Sequence, residues 1–262
     1  MRVSIIIPAY NEERRFKEFR TLERYSQCFE EKRLAGEIED FEILVVLNNC
    51  KDNTLQVVKD SEKKFKEIQH LEFKQGGKGF AIIEGFKDAL KRKNDLIGFV
   101  DADMATSPEA YYELVKNINE NDGIIASRWL KESKVSKRSF SRKILSVGFN
   151  FAVRSLFMMS YKDTQCGAKL FKREVIKKIL PELSLTRWAF DVNILYACKR
   201  NNLKIKELAT VWQEREGSKL NIIRVPLQMF SGIVRLRLIY SPIEPLLRPL
   251  KFVLKPIFKF LK

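Results

Sequence analysis

The stretch Leu96-Ile97-Gly98-Phe99-Val100-Asp101-Ala102-Asp103 places two carboxylates, one residue apart, directly after an apolar run. The run predicts a buried strand of a parallel sheet, and open α/β sheets bind their ligands where such strands end. Two carboxylates at that point suit a hard divalent cation that holds a diphosphate. Taken alone, the motif fits a solvated turn equally well. The surrounding sequence has to decide between a turn and a metal site.

Segments of strand type and helix type alternate on both sides of this stretch. The predicted strands are Val3–Ile7, Phe41–Leu47, Leu71–Lys74, Leu96–Val100, Gly123–Ala126, Ala168–Phe171 and Ile205–Val211. The predicted helices are Glu12–Phe29, Thr54–Lys66, Phe80–Arg92, Pro108–Asn119, Lys143–Met159, Glu174–Leu180 and Phe190–Lys199. Short apolar strands that alternate with helices predict an α/β fold, with a mostly parallel sheet flanked by helices on both faces.

The composition argues against several kinds of catalytic site. His70 is the only histidine, so neither a Ser-His-Asp triad nor a site with several histidine ligands is expected. The four cysteines, at positions 28, 50, 166 and 198, lack the spacing of a zinc knuckle or a redox dithiol. The net charge of +16 predicts an acidic partner, which can be nucleic acid, anionic lipid or a phosphorylated substrate.

The sequence divides by composition into residues 1–220 and a basic segment, residues 221–262. In that segment Lys251, Lys255 and Lys259 are spaced by four and share one helical face, with apolar residues around the remainder. This pattern predicts amphipathic helices at a membrane surface, and packing on the protein's own core is the alternative. No uncharged apolar stretch of about 18 residues, the length of a transmembrane helix, occurs in the sequence.

Polar groups follow other predicted strands at what would be the same edge of the sheet. The first strand ends in Pro8-Ala9-Tyr10-Asn11-Glu12, where an aromatic ring and a carboxylate can stack on and hydrogen-bond a nucleobase. Asn48 follows the second strand. The segment Gly76-Gly77-Lys78-Gly79 precedes a helix and suits a phosphate, because glycine permits close approach and Lys78 brings a positive charge. Each is a plain turn when taken singly, but together they predict a nucleotide site.

The segment Val3-Ser4-Ile5-Ile6-Ile7-Pro8-Ala9-Tyr10-Asn11-Glu12 resembles the opening of family 2 glycosyltransferases with the GT-A fold, and the resemblance covers nearly the whole chain. Three more strings resemble the dolichyl-phosphate β-glucosyltransferases within that family, and polyprenyl-phosphate mannose synthases have looser versions. These strings are Asp163-Thr164-Gln165-Cys166-Gly167, Arg187-Trp188-Ala189-Phe190-Asp191-Val192 and Glu216-Gly217-Ser218-Lys219-Leu220. The resemblance implies a GT-A, Rossmann-like sheet. It also implies an inverting enzyme that moves a hexose, glucose from UDP-glucose, onto dolichyl or polyprenyl phosphate for protein glycosylation.

The resemblance further implies roles for individual residues. Asp101 and Asp103, with Ala102 between them, match the motif that holds Mg²⁺ or Mn²⁺ against a nucleotide diphosphate. The nucleotide pocket is matched by Pro8, Ala9, Tyr10 and Glu12, with Asn48 and Lys78 beside it. Asp191 matches an acid near the sugar. Positions near the acceptor phosphate are matched by Arg128, Arg142 and Ser146, and a loop that closes over the phosphates by Arg215, Ser218 and Lys219.

Three positions depart from the family's usual pattern. Asn48 stands near the place of an Asp that binds the base, and its amide can still face a base. Met104 replaces a frequent Gly and predicts a narrower sugar pocket, and Ala168 replaces a frequent aromatic residue. The eukaryotic enzymes carry an N-terminal membrane anchor, which this sequence does not show, so the basic segment 221–262 is expected to serve instead.

The attacking atom would be an oxygen of the lipid phosphate, which is already ionised at neutral pH because its second pKa is about 6. A strong general base is therefore not required, and Asp191 is expected to orient the sugar or a cation. The expected location is the cytoplasmic face of a membrane, with peripheral attachment. The alternatives are transfer of mannose from GDP-mannose, or of another sugar, to the same acceptor. A more remote alternative is a basic nucleic-acid-binding protein, for which the sequence offers no recognisable reading element.

Overall fold

The computed structural model describes residues 1–136, 140–184, 189–214 and 224–241, with side chains from 145 onward in the helix that begins at Phe140 and from 228 onward in the helix that begins at Arg224. Within those residues the chain folds around a seven-stranded sheet that is covered by helices on both faces. The predicted α/β class with a mostly parallel sheet is confirmed.

The seven strands of the main sheet are arranged in the order β3-β2-β1-β4-β7-β5-β8. Their bounds are β1 Arg2–Ala9, β2 Asp40–Asn48, β3 Ile68–Phe73, β4 Leu96–Val100, β5 Gly123–Ser127, β7 Ala168–Lys172 and β8 Ile205–Ala209. All of them run in one direction except β7, which is antiparallel to β4 and β5. The carboxyl ends of the parallel strands therefore meet the amino end of β7 at one edge, which we call the site edge.

The seven helices predicted with bounds occur in the expected order, but the first is divided in two, and one further helix lies in the basic segment, for which helices were predicted without bounds. The observed bounds are α1 Glu13–Phe19, α2 Thr21–Leu34, α3 Thr54–Glu62, α4 Lys78–Ala89, α5 Pro108–Asn117, α6 Phe140–Phe157, α7 Arg173–Ile179, α8 Phe190–Arg200 and, in the basic segment, α9 Arg224–Ile239. The single helix expected over Glu12–Phe29 was wrong, since Arg20 lies between α1 and α2 in a left-handed conformation with φ of 51°. The break redirects α2, whose Thr21 hydroxyl donates a hydrogen bond to the Ala102 carbonyl.

The last predicted strand, Ile205–Val211, is also divided. Its first part, β8, extends the main sheet next to β5. Its end forms β9, Val211–Trp212, which pairs with the short strand β6, Lys134–Val135, in a separate two-stranded sheet. The separation occurs at Thr210, whose backbone N–H turns to the hydroxyl of Ser133.

The core is divided by the main sheet because successive strand residues point to opposite faces. Ile5 packs in the cluster that α2 and α5 cover with Tyr25 and Tyr111. Ile6 packs in the cluster on the other face, which α4 covers with Phe86. This double cover explains why β1, β2 and β4 are apolar at nearly every position.

A third cluster lies where α6, α8 and α9 meet, beside the edge of the main sheet. Phe157 of α6 and Ile233 and Leu236 of α9 are buried in it. The described part of segment 221–262 thus packs on the preceding residues through one face of α9, and the division at residue 220 stays a prediction. The helix expected around Lys251, Lys255 and Lys259 lies outside the described residues. No helix in the described part of the chain has both the length and the apolar character to cross a bilayer.

Candidate active site

Three loops of the site edge are joined by the side chain of Asn48. Its amide nitrogen donates to the carbonyl of Ala9, at 2.8 Å, and its amide oxygen accepts from the N–H of Gly77, at 2.9 Å. The side chain is buried. Asn48 thereby ties the ends of β1 and β2 to the segment that precedes α4. The structure favours this architectural role over the expected contact of its amide with a nucleobase.

The loop after β1 combines an exposed ring with a half-buried carboxylate. Tyr10 is 51% exposed at the end of the strand, while Pro8 and Ala9 before it are buried. Glu12 receives hydrogen bonds from the Arg15 guanidinium, and its N–H donates to the hydroxyl of Thr54. Burial raises the pKa of Glu12, as do the charges of Asp103 and Asp101, although Arg15 opposes the shift. Glu12 therefore lies near enough to the acidic pair for their charges to interact.

The acidic pair lies in a turn that leaves β4. The Asp101 side chain is 39% exposed, and its N–H donates to the carbonyl of Gly167 at 3.1 Å. Ala102 is buried, and the Asp103 carboxylate accepts from the N–H of Ala105 at 3.0 Å. Met104, which is buried, has a left-handed backbone with φ of 58°. Such a conformation is costly for a residue other than Gly and is maintained here by the surrounding contacts.

Four charged side chains of alternating sign extend inward from Asp101. The Lys78 ammonium lies 2.7 Å from the Asp101 carboxylate and 3.4 Å from that of Asp191. Asp191 in turn pairs at 2.8 Å with Lys169, whose side chain is fully buried. We call Asp101, Lys78, Asp191 and Lys169 the charge chain. Opposite charges at these distances compensate one another, and exposure falls along the chain from 39% at the Asp101 side chain to 0% at that of Lys169.

The charge chain shifts the pKa values of its members in different directions. Burial raises the pKa of Asp101, Lys78 opposes the shift, and the charges of Asp103 and Asp191 act in the same sense as burial. Burial acts on Asp191 in the same sense, but the ammonium groups of Lys169 and Lys78 outweigh it and lower its pKa. The pKa of Lys78 is raised, because its two carboxylate partners outweigh the effect of burial. Asp191 is therefore a weak proton acceptor, suited to orienting a ligand.

The donor set at the site edge fits a divalent cation that is shared with a ligand. Asp101 and Asp103 offer carboxylate oxygens, which hard cations prefer. The described residues contain no cluster of three or more His, Cys, Asp or Glu side chains that could hold a metal by themselves. Two carboxylates with substrate phosphate oxygens are a usual environment for Mg²⁺. The site thus fits a cation that a diphosphate helps to hold.

Arg128, expected near the acceptor phosphate, is held by a buried carboxylate. Its Nε and a terminal nitrogen donate to Asp163 at 2.6 and 2.8 Å, and its backbone N–H donates to the same carboxylate at 2.9 Å. The Asp163 side chain is fully buried and that of Arg128 is 10% exposed. The guanidinium also lies over the ring of Trp212, 5.4 Å from its centroid. These contacts make Arg128 a structural anchor for the loop that Asp163 begins.

That loop, residues 163–167, carries contacts to both sides of the site. Asp163 accepts from the backbone N–H groups of Gln165 and Cys166, which fixes the turn. At the end of the loop, a Cβ added to Gly167 would lie 1.8 Å from a carboxylate oxygen of Asp101. Only glycine leaves room there for the Asp101 side chain. Within the loop, the Thr164 hydroxyl donates to the amide oxygen of Asn150 on α6, at 3.0 Å.

Sequence reasoning did not single out Lys169, Asp163, Gly167 or Asn150 as parts of the site. The signal for two of them was present, since Asp163 and Gly167 delimit a string quoted above for its resemblance. Lys169 offered a different signal, because a lysine in the middle of the apolar run 168–171 requires a partner if the run is buried. Asn150 could be identified only from the contact that α6 makes with the loop.

The remaining predicted residues lie on or beyond α6. Ser146 is half-buried and precedes Asn150 by four positions, so both lie on the helix face that meets the loop 163–167. Arg142 lies in α6 four positions before Ser146, and its side chain is outside the described residues. Arg215, Ser218 and Lys219 lie entirely outside the described residues. The roles expected for Arg142, Ser146 and these three residues stay predictions.

Comparison with known proteins identifies the family. The sequence profile described as glycosyl transferase family 2 matches residues 4–180. The dolichyl-phosphate beta-glucosyltransferase of Dictyostelium discoideum is 37% identical over 248 residues, which are 91% of this chain and 74% of that protein. The Homo sapiens protein of the same name is 34% identical over 251 residues, 91% of this chain and 75% of that protein.

Among solved structures, the fold is similar to glucosyl-3-phosphoglycerate synthase from Mycobacterium tuberculosis, crystallised with Mn²⁺, UDP and glucosyl-3-phosphoglycerate. The TM-score is 0.62 at 15% identity, over 89% of this chain and 78% of that one. This likeness confirms the predicted GT-A fold. Taken with the match of the family profile and the relatives above 30% identity, the chain belongs to glycosyl transferase family 2, as a glycosyltransferase whose curated relatives are dolichyl-phosphate β-glucosyltransferases.

Proposed function

We propose that this chain transfers glucose from UDP-glucose to dolichyl or polyprenyl phosphate, with inversion at the sugar carbon, and so supplies a lipid-linked sugar for protein glycosylation. One observation carries the proposal. The chain is 31% to 37% identical to enzymes with this activity in their names, and the family match includes the acidic pair and Lys78. The reaction takes place at the cytoplasmic face of a membrane, to which the chain is attached peripherally.

The donor binds at the site edge. Tyr10 stacks on the base, and Glu12 hydrogen-bonds the nucleoside. Asp101 and Asp103 hold the divalent cation, Mg²⁺ or Mn²⁺, which when bound neutralises charge on the diphosphate. Lys78, at the first turn of α4 and 2.7 Å from Asp101, binds a diphosphate oxygen. These groups support departure of the diphosphate without a proton donor.

The acceptor phosphate attacks from the side of loop 163–167 and α6. Its oxygen is ionised at neutral pH, since the second pKa of a phosphate monoester is about 6. The lowered pKa of Asp191 supports an orienting role for this residue, through a hydrogen bond to a sugar hydroxyl, and argues against a role as the base. Ser146 and Arg142 contact the acceptor phosphate, together with Arg215, Ser218 and Lys219. Arg128 supports this region by fixing Asp163.

Transfer of a labelled sugar to a short-chain polyprenyl phosphate tests the proposal. UDP-glucose, GDP-mannose and UDP-N-acetylglucosamine are compared as donors, each with Mg²⁺, with Mn²⁺ and with a chelator. We expect UDP-glucose to be used and the chelator to stop the reaction. GDP-mannose as the preferred donor would overturn the assignment of the sugar, and full activity in chelator would overturn the metal site.

The matched variants are Asp101→Ala and Asp95→Ala, at the two ends of β4. Asp101→Ala is expected to abolish transfer and cation-dependent nucleotide binding. Asp95 lies at the edge opposite the site and accepts a hydrogen bond from the N–H of Arg2, so Asp95→Ala is expected to retain transfer. Equal activity of the two variants would remove Asp101 from the reaction.

A further inference from the structure

Two adjoining helices, α6 and α9, expose large apolar side chains to solvent. On α6, Phe151 is 72% exposed and Arg154 is exposed, and Met158, which directly follows the helix, is 75% exposed. On α9, Phe230 is 52% exposed and is followed four positions later by Val234. We call the exposed residues Phe151, Arg154, Met158, Phe230, Val234 and Arg235 the α6–α9 face.

The residues of the α6–α9 face are distinct from the core residues of the same two helices. The same helices bury a different set of side chains, which includes Val153 and Phe157 of α6 and Ile233 and Leu236 of α9. Phe151 and Arg154 lie three positions apart on the side of α6 next to the buried one, and Met158 follows directly after the helix. Each helix therefore carries apolar side chains on two sides, and the described residues cover only one of them.

The charge of these helices is of one sign. The sequence has no acidic residue from 133 to 162 or from 217 to 243, while both stretches contain lysines and arginines. Arg154 and Arg235 lie exposed among the apolar side chains. An apolar surface on helices whose charged residues are all basic complements an anionic lipid surface, where rings enter the interface and arginines meet headgroups. It repels another basic surface, including the segment 245–262, which has no acid and five basic residues.

We propose that the α6–α9 face docks onto a bilayer surface that contains anionic lipid. The inference rests on the proposed function in one respect, that the acceptor is lipid-borne. Ser146 and Asn150 lie on the side of α6 that faces loop 163–167, whereas Phe151 lies on the exposed side, and Met158 is exposed directly after the helix. Because an α-helix with its side chains is about 10 Å across, docking brings a phosphate at headgroup level close to this loop.

Vesicle flotation of the full chain tests this surface directly. The vesicles are phosphatidylcholine alone or phosphatidylcholine with phosphatidylserine, and the variants are Phe151→Ser with Met158→Ser, and Arg154→Gln with Arg235→Gln. We expect the first pair to weaken partitioning about tenfold or more on both vesicles, from the loss of inserted apolar area. The second pair should weaken it about fivefold for each arginine, on anionic vesicles alone. Leu34→Ser is the matched control, since Leu34 is 73% exposed at the end of α2.

Three outcomes would overturn the proposal. The first is undiminished flotation of both double variants, which would assign binding to another part of the chain. The second is failure of the unmodified chain to float on anionic vesicles. The third is a dimer in solution that the Phe151 and Met158 substitutions dissociate, which would make the face an interface between copies. Thermal melting checks that the variants fold, since exposed substitutions should leave the melting temperature nearly unchanged.

A separate measurement distinguishes failure of docking from failure of the proposed function. Transfer to a short-chain acceptor that is soluble in water does not require a bilayer, so both double variants should retain it. If no nucleotide sugar is transferred by the unmodified chain, the proposed function fails while the flotation result still stands. If transfer is normal and flotation is unaffected by the variants, only the docking proposal fails.

Discussion

The two sides of the site differ in how their charges are held. On the donor side, Asp101 and Lys78 form an ion pair whose side chains are 39% and 32% exposed. On the acceptor side, Arg128 and Asp163 form a pair whose side chains are 10% and 0% exposed, with three hydrogen bonds to one carboxylate. The first pair can exchange partners with an incoming ligand at modest cost, and the second cannot.

This difference separates charged groups that can bind a ligand from charged groups that hold the loops of the site in place. Partly exposed charges are screened by water, so Asp101 can leave Lys78 for a cation while Lys78 turns to a phosphate. A buried pair loses more when either partner is removed, because the remaining charge stays without compensation. Arg128 and Asp163 therefore hold loop 163–167 in place, and through Gly167 they define the room in which Asp101 lies.

The largest effect is expected for Asp163→Asn, which keeps the shape of the side chain and removes its charge. The loss should be about 3–5 kcal/mol in the free energy of unfolding, because the nearly buried Arg128 remains unpaired. Urea denaturation monitored by circular dichroism measures it. Asp60→Asn is the control, because Asp60 and Lys63 form an exposed pair that should contribute less than about 1 kcal/mol. Similar losses in the two variants would show that burial of the acceptor-side pair is unimportant.

The effect of Asp163→Asn on the free energy of unfolding should depend on pH. Burial acts to raise the pKa of Asp163, but the charge and the hydrogen bonds of Arg128, together with the charge of Lys169, outweigh it, and the pKa lies below its usual 3.8. A carboxyl group with a lowered pKa stabilises the fold fully above its unfolded pKa and loses this contribution as the pH falls. The stability difference between the unmodified chain and Asp163→Asn should therefore narrow below about pH 4. A difference that stays constant down to pH 3 would contradict the lowered pKa.

Gly167→Ala tests how the acceptor side shapes the donor side. An added Cβ would lie 1.8 Å from an oxygen of Asp101, so the carboxylate must move away from its present position. We expect transfer to fall about 100-fold, equivalent to about 2.7 kcal/mol, with weaker cation-dependent nucleotide binding. Gly148→Ala on α6 is the control, since a Cβ there meets nothing within 4 Å. Equal activity of the two variants would mean that Asp101 is not constrained by the loop.

Features that depend on local chemistry could be predicted from the sequence. The helix predicted to begin at Pro108 does begin there, and the hydroxyl of the preceding Ser107 accepts from the N–H of Ala110 at the start of α5. The apolar run before Asp101 predicted β4 with the observed bounds. In both cases the interaction that determines the structure is made by residues close in sequence, so a few positions are enough to predict the start of the helix or the strand.

Features that depend on distant contacts could not be predicted in the same way. The break at Arg20 is stabilised by the hydrogen bond from Thr21 to Ala102, which lies 81 residues away, while the sequence on both sides favours helix. The direction of β7 depends on its position between β4 and β5. The burial of Lys169 depends on Asp191, 22 residues further along the chain. Each of these is decided by tertiary packing, which overrides local preference.

Lys169→Met tests the inner end of the charge chain. Asp191 would keep Lys78 as a partner at 3.4 Å and lose its closer one at 2.8 Å, so the loss of stability should be smaller than for Asp163→Asn, about 2 kcal/mol. Removal of Lys169 also raises the pKa of Asp191, because this ammonium is the principal group that lowers it. Activity should therefore fall on the acidic limb of its pH profile, and Lys169→Arg should restore part of it. An unchanged profile with reduced stability would make Lys169 purely structural.

The smallest effect is expected at the most exposed residue of the site. Tyr10 is 51% exposed, so its substitution leaves the core intact and should not change the melting temperature. If its ring stacks on the nucleobase, Tyr10→Ala should weaken nucleotide binding about tenfold, as stacking on one base contributes about 1–3 kcal/mol. Tyr10→Phe keeps the ring and should bind nearly as well. Calorimetric titration with UDP in the presence of Mn²⁺ measures both, and equal weakening would assign the contribution to the hydroxyl. Stacking by Tyr10 would fit the contrast between the two sides of the site. On the donor side, the ligand would be recognised by side chains that contribute little to the stability of the fold.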